Sequence, residues 1–154
     1  MSLTELDPQY DFVEISHLLN TLYAELFGEE RCYDERQLAE IQRQWVNRRP
    51  SHWAFKWEEG HEAVAFVTLN ECFSFFAKGA YGIINELWIH PLWRNQGLGA
   101  RVLEEIRVLG QQRGWKRIDV SAPADPRWQR SFDFYQKNDF VFSGKKLRTW
   151  LPES

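Results

Sequence analysis

The feature that most constrains the fold of this 154-residue chain is a strand that leads, through a loop with two glycines, into a helix. Apolar residues over 83–89 predict the strand, His90-Pro91 ends it, and Gly97 and Gly99 open the helix. Glycines let the backbone approach a ligand closely, and the first N–H groups of a helix have no partner within it. Together with the helix dipole they form an anion site suited to phosphate, to which Arg94 can add a charge-assisted hydrogen bond.

Two common phosphate motifs fit this loop poorly. A P-loop needs Gly-Lys followed by Ser or Thr, which this stretch lacks. A dinucleotide-binding fingerprint agrees in Gly97, Gly99 and the acidic Asp119, but seven residues separate the strand from the first glycine, and Val102 stands in place of the third. We therefore expect a phosphate loop of another kind; the alternative is that the two glycines only shape the turn.

Helices and strands alternate along the rest of the chain. Helical spacing of apolar residues predicts helices over residues 11–27, 34–49, 99–113 and 127–137. Alternation with period two predicts strands over residues 53–57, 63–69, 83–89, 117–121 and 140–142, and a last strand that ends at Trp150. No linker or repeat interrupts the pattern. We predict one α/β (α+β) domain over residues 1–154, with a mixed central sheet that has a hairpin at each end and a β-α-β unit in the middle.

The composition excludes several classes of protein. Hydrophobic residues make up 44% of the chain and charged residues 27%, which is typical of a globular protein and not of a disordered or fibrous one. The longest nearly apolar stretch, residues 63–69, is far shorter than the roughly 20 residues of a membrane-spanning helix. The acidic N-terminal residues do not resemble a signal peptide. Cys32 and Cys72 form no CxxC pair and are too few for a disulfide framework, so we expect a cytoplasmic protein without a membrane partner.

The net charge of −3 is divided unevenly along the chain. Residues 1–80 contain 14 Asp and Glu against 7 Lys and Arg, a net charge of −7, whereas residues 81–154 contain 8 against 12, a net charge of +4. This division suits a cationic substrate beside an anionic cofactor; the alternative is chance scatter over solvated faces. The short basic run over 145–148 has no interleaved aromatic residues, so we expect no nucleic-acid partner. The histidines show no metal-ligand spacing, so we expect no metal.

Two motifs in this chain resemble those of the GNAT superfamily of N-acetyltransferases. Arg94-x-x-Gly97-x-Gly99, between a strand rich in Ile and Leu and an amphipathic helix, is similar to the family's acetyl-CoA motif. Phe134-Tyr135-Gln136-Lys137-Asn138-Asp139-Phe140 is similar to its Phe-Tyr-x-Lys-x-Gly-Phe segment. The order of helices and strands agrees over nearly the whole chain. The resemblance implies the acyl-CoA N-acyltransferase fold, in which a mixed sheet is splayed around a cofactor cleft and carries helices on both faces.

The resemblance also implies acetyl-CoA as the co-substrate and a set of residues that bind it. The pyrophosphate is expected on the backbone amides of residues 94–99, and the pantetheine arm is expected along the strand edge at 87–89. The implied cofactor-binding residues are Leu87, Trp88, Ile89, Arg94, Asn95, Gln96, Gly97, Leu98, Gly99, Ala100 and Tyr135.

The chain departs from the family pattern at four places. Asn95 and Asp139 stand where the family has glycine, and Trp128 stands where it has an asparagine that contacts the pantetheine. The first strand of the fold contains few β-formers here, because residues 1–9 are mostly polar or acidic.

Transfer of an acyl group to an amine needs both a base and an acid. An ammonium group with a pKa near about 10 must lose a proton, and the departing thiolate must gain one. The resemblance places the hydroxyl of Tyr135 near the thioester sulfur and so predicts Tyr135 as the acid; the alternative is a ring that only packs beside Phe132 and Phe134. Glu86, a carboxylate in an otherwise apolar strand, is the candidate base, and its alternative is an ion pair with a helix arginine. No Ser-His-Asp or Cys-His arrangement is evident in the sequence, and the resemblance implies direct transfer of the acyl group.

We therefore predict an acetyl-CoA-dependent N-acetyltransferase that acts on a primary amine of a small molecule or peptide. The alternatives are a non-catalytic module of the same fold that binds or senses acyl-CoA, and an enzyme that transfers a longer acyl chain. The presence of Tyr135 favours an enzyme. Six aromatic residues are candidates either for the floor of an amine pocket or for the core: Trp53, Phe55, Trp57, Phe73, Phe75 and Trp88. The resemblance also suggests a homodimer.

Overall fold

Residues 3–121, 128–144 and 146–152 are described by a computed structural model of the protein. The chain divides into two compact units, Met1–Asp119 and Val120–Ser154. The first unit contains most of the sheet and three helices, and the second contains one helix and the C-terminal segment. The interpretation of residues 1–154 as one domain stays a prediction.

Five strands and four α-helices follow one another along the described residues. Their bounds are β1 Leu3–Leu6, α1 Phe12–Phe27, α2 Glu35–Val46, β2 His52–Glu59, β3 Glu62–Ser74, β4 Gly79–Ile89, α3 Leu98–Arg113, β5 Ile118–Val120 and α4 Gln129–Lys137. Local chemistry explains two helix ends. α2 begins after Asp34, which forms a capping box with Gln37, and α3 ends at Gly114, which takes the left-handed conformation with φ 77°.

The five strands form one open, mixed sheet in the order β1-β2-β3-β4-β5. The first four strands are antiparallel to their neighbours, and α3 connects β4 to β5. The register of β3 against β4 shifts between Thr68 and Leu69: Glu86 pairs with Thr68, Ile84 pairs with Leu69, and Asn85 is an extra residue in β4. Bulges of this kind re-aim side chains and are frequent beside active sites.

Helices cover both faces of the sheet. On one face, α1 and α2 bury a cluster against β2, β3 and β4 that includes Ile15, Leu18, Leu19, Leu22, Trp45, Ala54, Phe66 and Trp88. Side chains alternate along a strand, so Ala54 and Trp57 point to opposite faces. The guanidinium of Arg101, from α3, lies 4.7 Å from the ring centre of Trp57. The mixed sheet with helices on both faces, predicted from the resemblance, is confirmed.

Trp115 fills the space between the end of α3 and β4. Its Nε1 donates a hydrogen bond to Oε1 of Glu71 at 2.6 Å, and its ring centre lies 6.3 Å from that of Trp53. Two glycines make room for the ring. A Cβ on Gly82 would overlap the ring of Trp115, and one on Gly110 would lie 2.8 Å from its Cε3.

We expect Gly82→Ala to destabilise the protein, because either the ring of Trp115 or the strand β4 must shift. Overpacking of this kind costs about 1–3 kcal/mol and occasionally more. The free energy of unfolding, measured by urea denaturation, checks the prediction. The same substitution in a Trp115→Ala background is the control, since it removes the clashing ring. An equal loss of stability in both backgrounds would contradict a steric origin.

The segment after α4 differs from the prediction. Strands were expected over 140–142 and up to Trp150, but residues 139–144 and 146–152 form no strand, so this prediction is wrong for the part of the segment that the structure describes. Apolar alternation predicts which face of a strand is buried, but a strand also needs a neighbour for its backbone hydrogen bonds. The described sheet ends at β5, and Phe142 and Leu147 are exposed. Residues 122–126, the loop expected between the strand predicted over 117–121 and the helix predicted over 127–137, lie outside the described residues.

Candidate active site

The loop between β4 and α3 has a backbone suited to an anion. The sequence predicted a loop between the strand over 83–89 and the helix over 99–113; in the structure Pro91–Trp93 of this loop form a 3₁₀ turn, and α3 begins at Leu98. Gly97 is the N-cap residue of α3 and takes the left-handed conformation with φ 84°. No described side chain caps this helix, so its first N–H groups stay available to solvent or to an anion.

The two residues that replace family glycines keep a glycine-like backbone. Asn95 has φ 62° and Asp139 has φ 73°, both in the left-handed region. Asn and Asp enter this region more readily than other side chains, because their short polar groups bond locally to the backbone. At both positions the chain therefore holds a conformation that glycine adopts without strain.

The side chain of Arg94 is engaged within the protein. Its Nε donates to the carbonyl of Ile89 at 2.8 Å, and its Nη2 donates to both carboxylate oxygens of Glu25 at 2.9 and 2.8 Å. The indole of Trp88 donates to the same carboxylate at 3.0 Å. These charge-assisted bonds tie the start of the loop to α1. A direct bond from Arg94 to a phosphate stays a prediction.

The other predicted cofactor-binding residues differ in exposure. Trp88 belongs to the core cluster against α1, and Leu98, the first residue of α3, is buried. Leu87, Ile89, Gly99 and Ala100 are half-buried, and Asn95, Gln96 and Gly97 are exposed. Contacts of the Leu87–Ile89 strand with the cofactor are therefore expected through its backbone and not through the Trp88 ring.

Glu86 lies opposite Thr68 in the β3–β4 ladder, beside the bulge. The Thr68 hydroxyl accepts the N–H of Glu86 at 3.1 Å and donates to the Glu86 carboxylate. Burial, together with the charge and hydrogen-bonding oxygen of Glu86, raises the pKa of the Tyr23 hydroxyl far above its ordinary value. No ion pair within the described residues includes Glu86, so the alternative of a bond to a helix arginine gains no support there.

Tyr23, whose pKa is raised by burial and by the charge of Glu86, packs against an aromatic ring from the segment that follows α1. The rings of Tyr23 and Tyr33 meet edge to face, with centres 5.5 Å apart. The backbone of Tyr33 is held by Asn20, which accepts its N–H at 2.9 Å and donates to its carbonyl at 3.1 Å. Sequence reasoning missed all three residues, because neither tyrosine belongs to a motif and the contact forms only when the segment folds back on α1.

The six aromatic residues predicted as pocket candidates are not gathered at one place. Phe55, Trp57 and Trp88 are buried in the core, and Trp53 packs against Trp115. Phe73 and Phe75 are exposed near the tip of the β3–β4 hairpin, with 92% of Phe75 accessible.

Tyr135 lies in α4, in the second unit. The helix ends in a Schellman motif, in which Asp139 N–H bonds to the carbonyl of Gln136 at 3.2 Å and Phe140 N–H bonds to that of Tyr135 at 3.0 Å. The rings of Phe134 and Phe140 lie 5.3 and 5.5 Å from the Tyr135 ring, measured between centres. Burial raises the pKa of Tyr135 to about 12, so its hydroxyl is protonated at neutral pH. Its role at the thioester stays a prediction.

Neither a membrane span nor a metal-binding cluster is found where the structure describes the chain. None of the described helices is both long and apolar enough to cross a membrane. No three His, Cys, Asp or Glu side chains of the described residues come close enough to hold a metal ion.

Known proteins resemble this chain in sequence pattern and in fold. A model of the acetyltransferase (GNAT) family matches residues 13–140. The aminoglycoside antibiotic 6'-N-acetyltransferase AAC(6')-IG from Acinetobacter haemolyticus is 13% identical, with a TM-score of 0.76 and 100% of both chains covered. The aminoglycoside acetyltransferase HMB0005, from an uncultured soil metagenomic sample, is 22% identical, with a TM-score of 0.77 and 100% of both chains covered.

A possible acetyltransferase from Clostridium difficile 630 is 11% identical, with a TM-score of 0.79, and the similarity covers 99% of this chain and 97% of that one. No curated protein matches the sequence. These low identities show a shared fold, whereas the family match extends over most of the sequence and includes both motifs. The chain belongs to the GNAT family of acetyltransferases.

Proposed function

We propose that this protein is an acetyl-CoA-dependent N-acetyltransferase whose acceptor is a small molecule with primary amines. The observation that carries the proposal is the start of α3: the uncapped N–H groups follow Asn95 and Gly97, both at positive φ, in the segment that matches the acetyl-CoA motif. Family membership supports acetyl transfer in general.

The residues of the loop fit the pyrophosphate of acetyl-CoA. The first N–H groups of α3 are donors at the positive end of a helix dipole, which favours an anion. A Cβ on Gly97 would meet nothing within 4 Å, so the space beside the glycine is open to a ligand. When bound, acetyl-CoA supplies an acetyl group that is activated as a thioester.

Glu86 is the proposed general base, and Tyr135 is the proposed general acid. Glu86 takes the proton that the acceptor's ammonium must lose, directly or through a water molecule. Tyr135 holds a proton at neutral pH and donates it where the thiolate departs. The alternative, a module that binds acyl-CoA without transfer, needs neither group.

We favour acceptors that carry several ammonium groups, and aminoglycosides come first among them. Two of the three structural relatives described above are aminoglycoside acetyltransferases. The net charge of −7 over residues 1–80 suits a polycation. The Tyr23 ring, whose hydroxyl responds to the charge of Glu86, and the Tyr33 ring packed against it suit an ammonium group as well, since aromatic faces attract cations.

The cytoplasmic location and the homodimer expected from the sequence remain parts of this proposal. Cys32 and Cys72 are free in the structure, as a reducing compartment requires.

A panel of amines tests the proposal. Release of free thiol from acetyl-CoA is measured with aminoglycosides, linear polyamines and lysine-containing peptides, and mass spectrometry counts the acetyl groups on each product. We expect turnover with at least one aminoglycoside, and Glu86→Gln should slow it. Turnover of peptides alone would contradict the substrate class. Binding of acetyl-CoA without thiol release from any amine would support the binding module instead.

A further inference from the structure

Thr68 is the one polar side chain that is buried among residues 3–121, 128–144 and 146–152, with 3% of its surface exposed. It interrupts a run of buried apolar residues in β3 that extends from Val64 to Leu69. A hydroxyl in such a place destabilises a protein unless it is hydrogen-bonded, and a valine would fill nearly the same volume. The hydroxyl at this position therefore calls for an explanation in terms of its hydrogen-bond partners.

Both hydrogen-bonding functions of this hydroxyl are directed to a single residue. Oγ1 of Thr68 accepts the backbone N–H of Glu86 at 3.1 Å, and the same hydroxyl donates to the Glu86 carboxylate. The pair is directly cross-strand and is the last one before the bulge at Asn85. The carboxylate is thus fixed to the backbone of its own strand by way of a rigid, β-branched side chain.

A carboxylate held in this way keeps one orientation. A side chain at a functional site acts well only when its rotamer is fixed by packing or by further hydrogen bonds. Burial, together with the charge of Glu86, raises the pKa of the Tyr23 hydroxyl from α1, but the hydrogen bonds that hold Glu86 come from Thr68. No other residue in the apolar centre of β3 forms a hydrogen bond with the Thr68 hydroxyl.

We propose that Thr68 is a positioning residue of the acceptor site, whose hydroxyl holds the Glu86 carboxylate in the orientation in which it takes the proton of the amine. This role rests on the proposed function, because it acts through Glu86 as the base. Thr68 itself contacts neither substrate. It affects the rate of proton removal and not the binding of acetyl-CoA.

Two substitutions separate the hydroxyl from the packing. Thr68→Val keeps the shape and removes the hydroxyl, whereas Thr68→Ser keeps the hydroxyl and removes a methyl group. We expect Thr68→Val to lower kcat by at least about tenfold, since small displacements of a reacting group cost up to about 10²-fold. The KM for acetyl-CoA should stay within about twofold, because uniform binding is unaffected. Thr68→Ser should retain most of the activity.

A purely structural role predicts the reverse order. Thr68→Ser would then be the more damaging variant, because it leaves a small cavity, and Thr68→Val would be active. The thermal midpoint of each variant shows whether a loss of kcat comes from unfolding. Thr21→Val is the matched control, because it removes a threonine hydroxyl that bonds only within α1, to the carbonyl of His17.

A double-mutant cycle with Glu86→Gln completes the test. If Thr68 acts through Glu86, Thr68→Val has little further effect on kcat once the carboxylate is gone. If the parent protein is active and Thr68→Val is equally active, the role of Thr68 is overturned, whereas the proposed function stands. Additive losses in the cycle overturn the role of Thr68 too. A parent protein that turns over no amine overturns the proposed function together with this role.

Discussion

Substitution of Gly99 by valine is expected to weaken the binding of acetyl-CoA by more than about tenfold, which corresponds to about 1.4 kcal/mol. Gly99 is the second residue of α3, after the N-cap Gly97 and Leu98. The pyrophosphate is proposed to approach the backbone here, and a branched side chain occupies the space that a close approach needs. Calorimetric titration with acetyl-CoA measures the effect.

The fold should survive this substitution. Valine is a better helix former than glycine, so α3 loses no intrinsic stability. Glu104→Val is the matched control, because it places the same side chain on the exposed surface of the same helix, away from the loop. Unchanged affinity for acetyl-CoA in a folded Gly99→Val protein would refute the assignment of this loop.

Tyr135→Phe is expected to lower kcat by at least about tenfold and to leave the affinity for acetyl-CoA nearly unchanged. The variant keeps the ring that packs against Phe134 and Phe140 and removes only the hydroxyl. General acids contribute about 10²–10⁴-fold. We expect the lower end of that range, because burial raises the pKa of Tyr135 to about 12. A phenol with so high a pKa is reliably protonated but donates its proton less readily to a thiolate.

The comparison needs an acceptor from the amine panel and a second tyrosine as a control. Tyr10→Phe removes a hydroxyl from a ring that is 89% exposed, and it should not change kcat. If Tyr135 only packs in α4, kcat of Tyr135→Phe stays within about twofold of the parent, far from the usual contribution of a general acid. That result would leave the acid unidentified.

Local sequence signals predicted the elements around the site. Each of these signals depends on residues that are close in sequence. They are the end of the strand at His90-Pro91, the glycines at the start of α3, and the helical spacing of Val102, Leu103 and Ile106. The resulting prediction for α3, residues 99–113, differs from the structure by one residue. Residues that end a helix or strand, and the spacing of apolar residues along a helix, are local features, so they can be read directly from the sequence.

Elements that depend on a neighbouring strand were predicted less well. β1 is polar and short, and it forms because Leu3–Leu6 pair with Trp57–Ala54 of β2. The segment over 140–142 has the alternation of a strand but belongs to no strand of the described sheet. The β-propensity of a segment does not show whether a sheet has a free edge strand with which the segment can pair.

The partners of the site residues were the least predictable part. Glu25 is 69 residues from Arg94, and Thr68 is 18 residues from Glu86. No motif contains either partner, and neither residue type by itself indicates which side chain it contacts. Their importance follows only from the register of β3 against β4 and from the packing of α1 on the sheet.

The positive φ angles of Asn95 and Asp139 bear on how distant relatives of this chain are found. A search pattern that demands glycine at these two positions rejects the chain, although its backbone takes the left-handed conformation that favours glycine there. A pattern written for the left-handed conformation would accept Gly, Asn and Asp together, since these three residues tolerate it best. Applied to sequences that fail the glycine rule, such a pattern would retrieve acetyltransferase-like chains whose loop and helix end are intact.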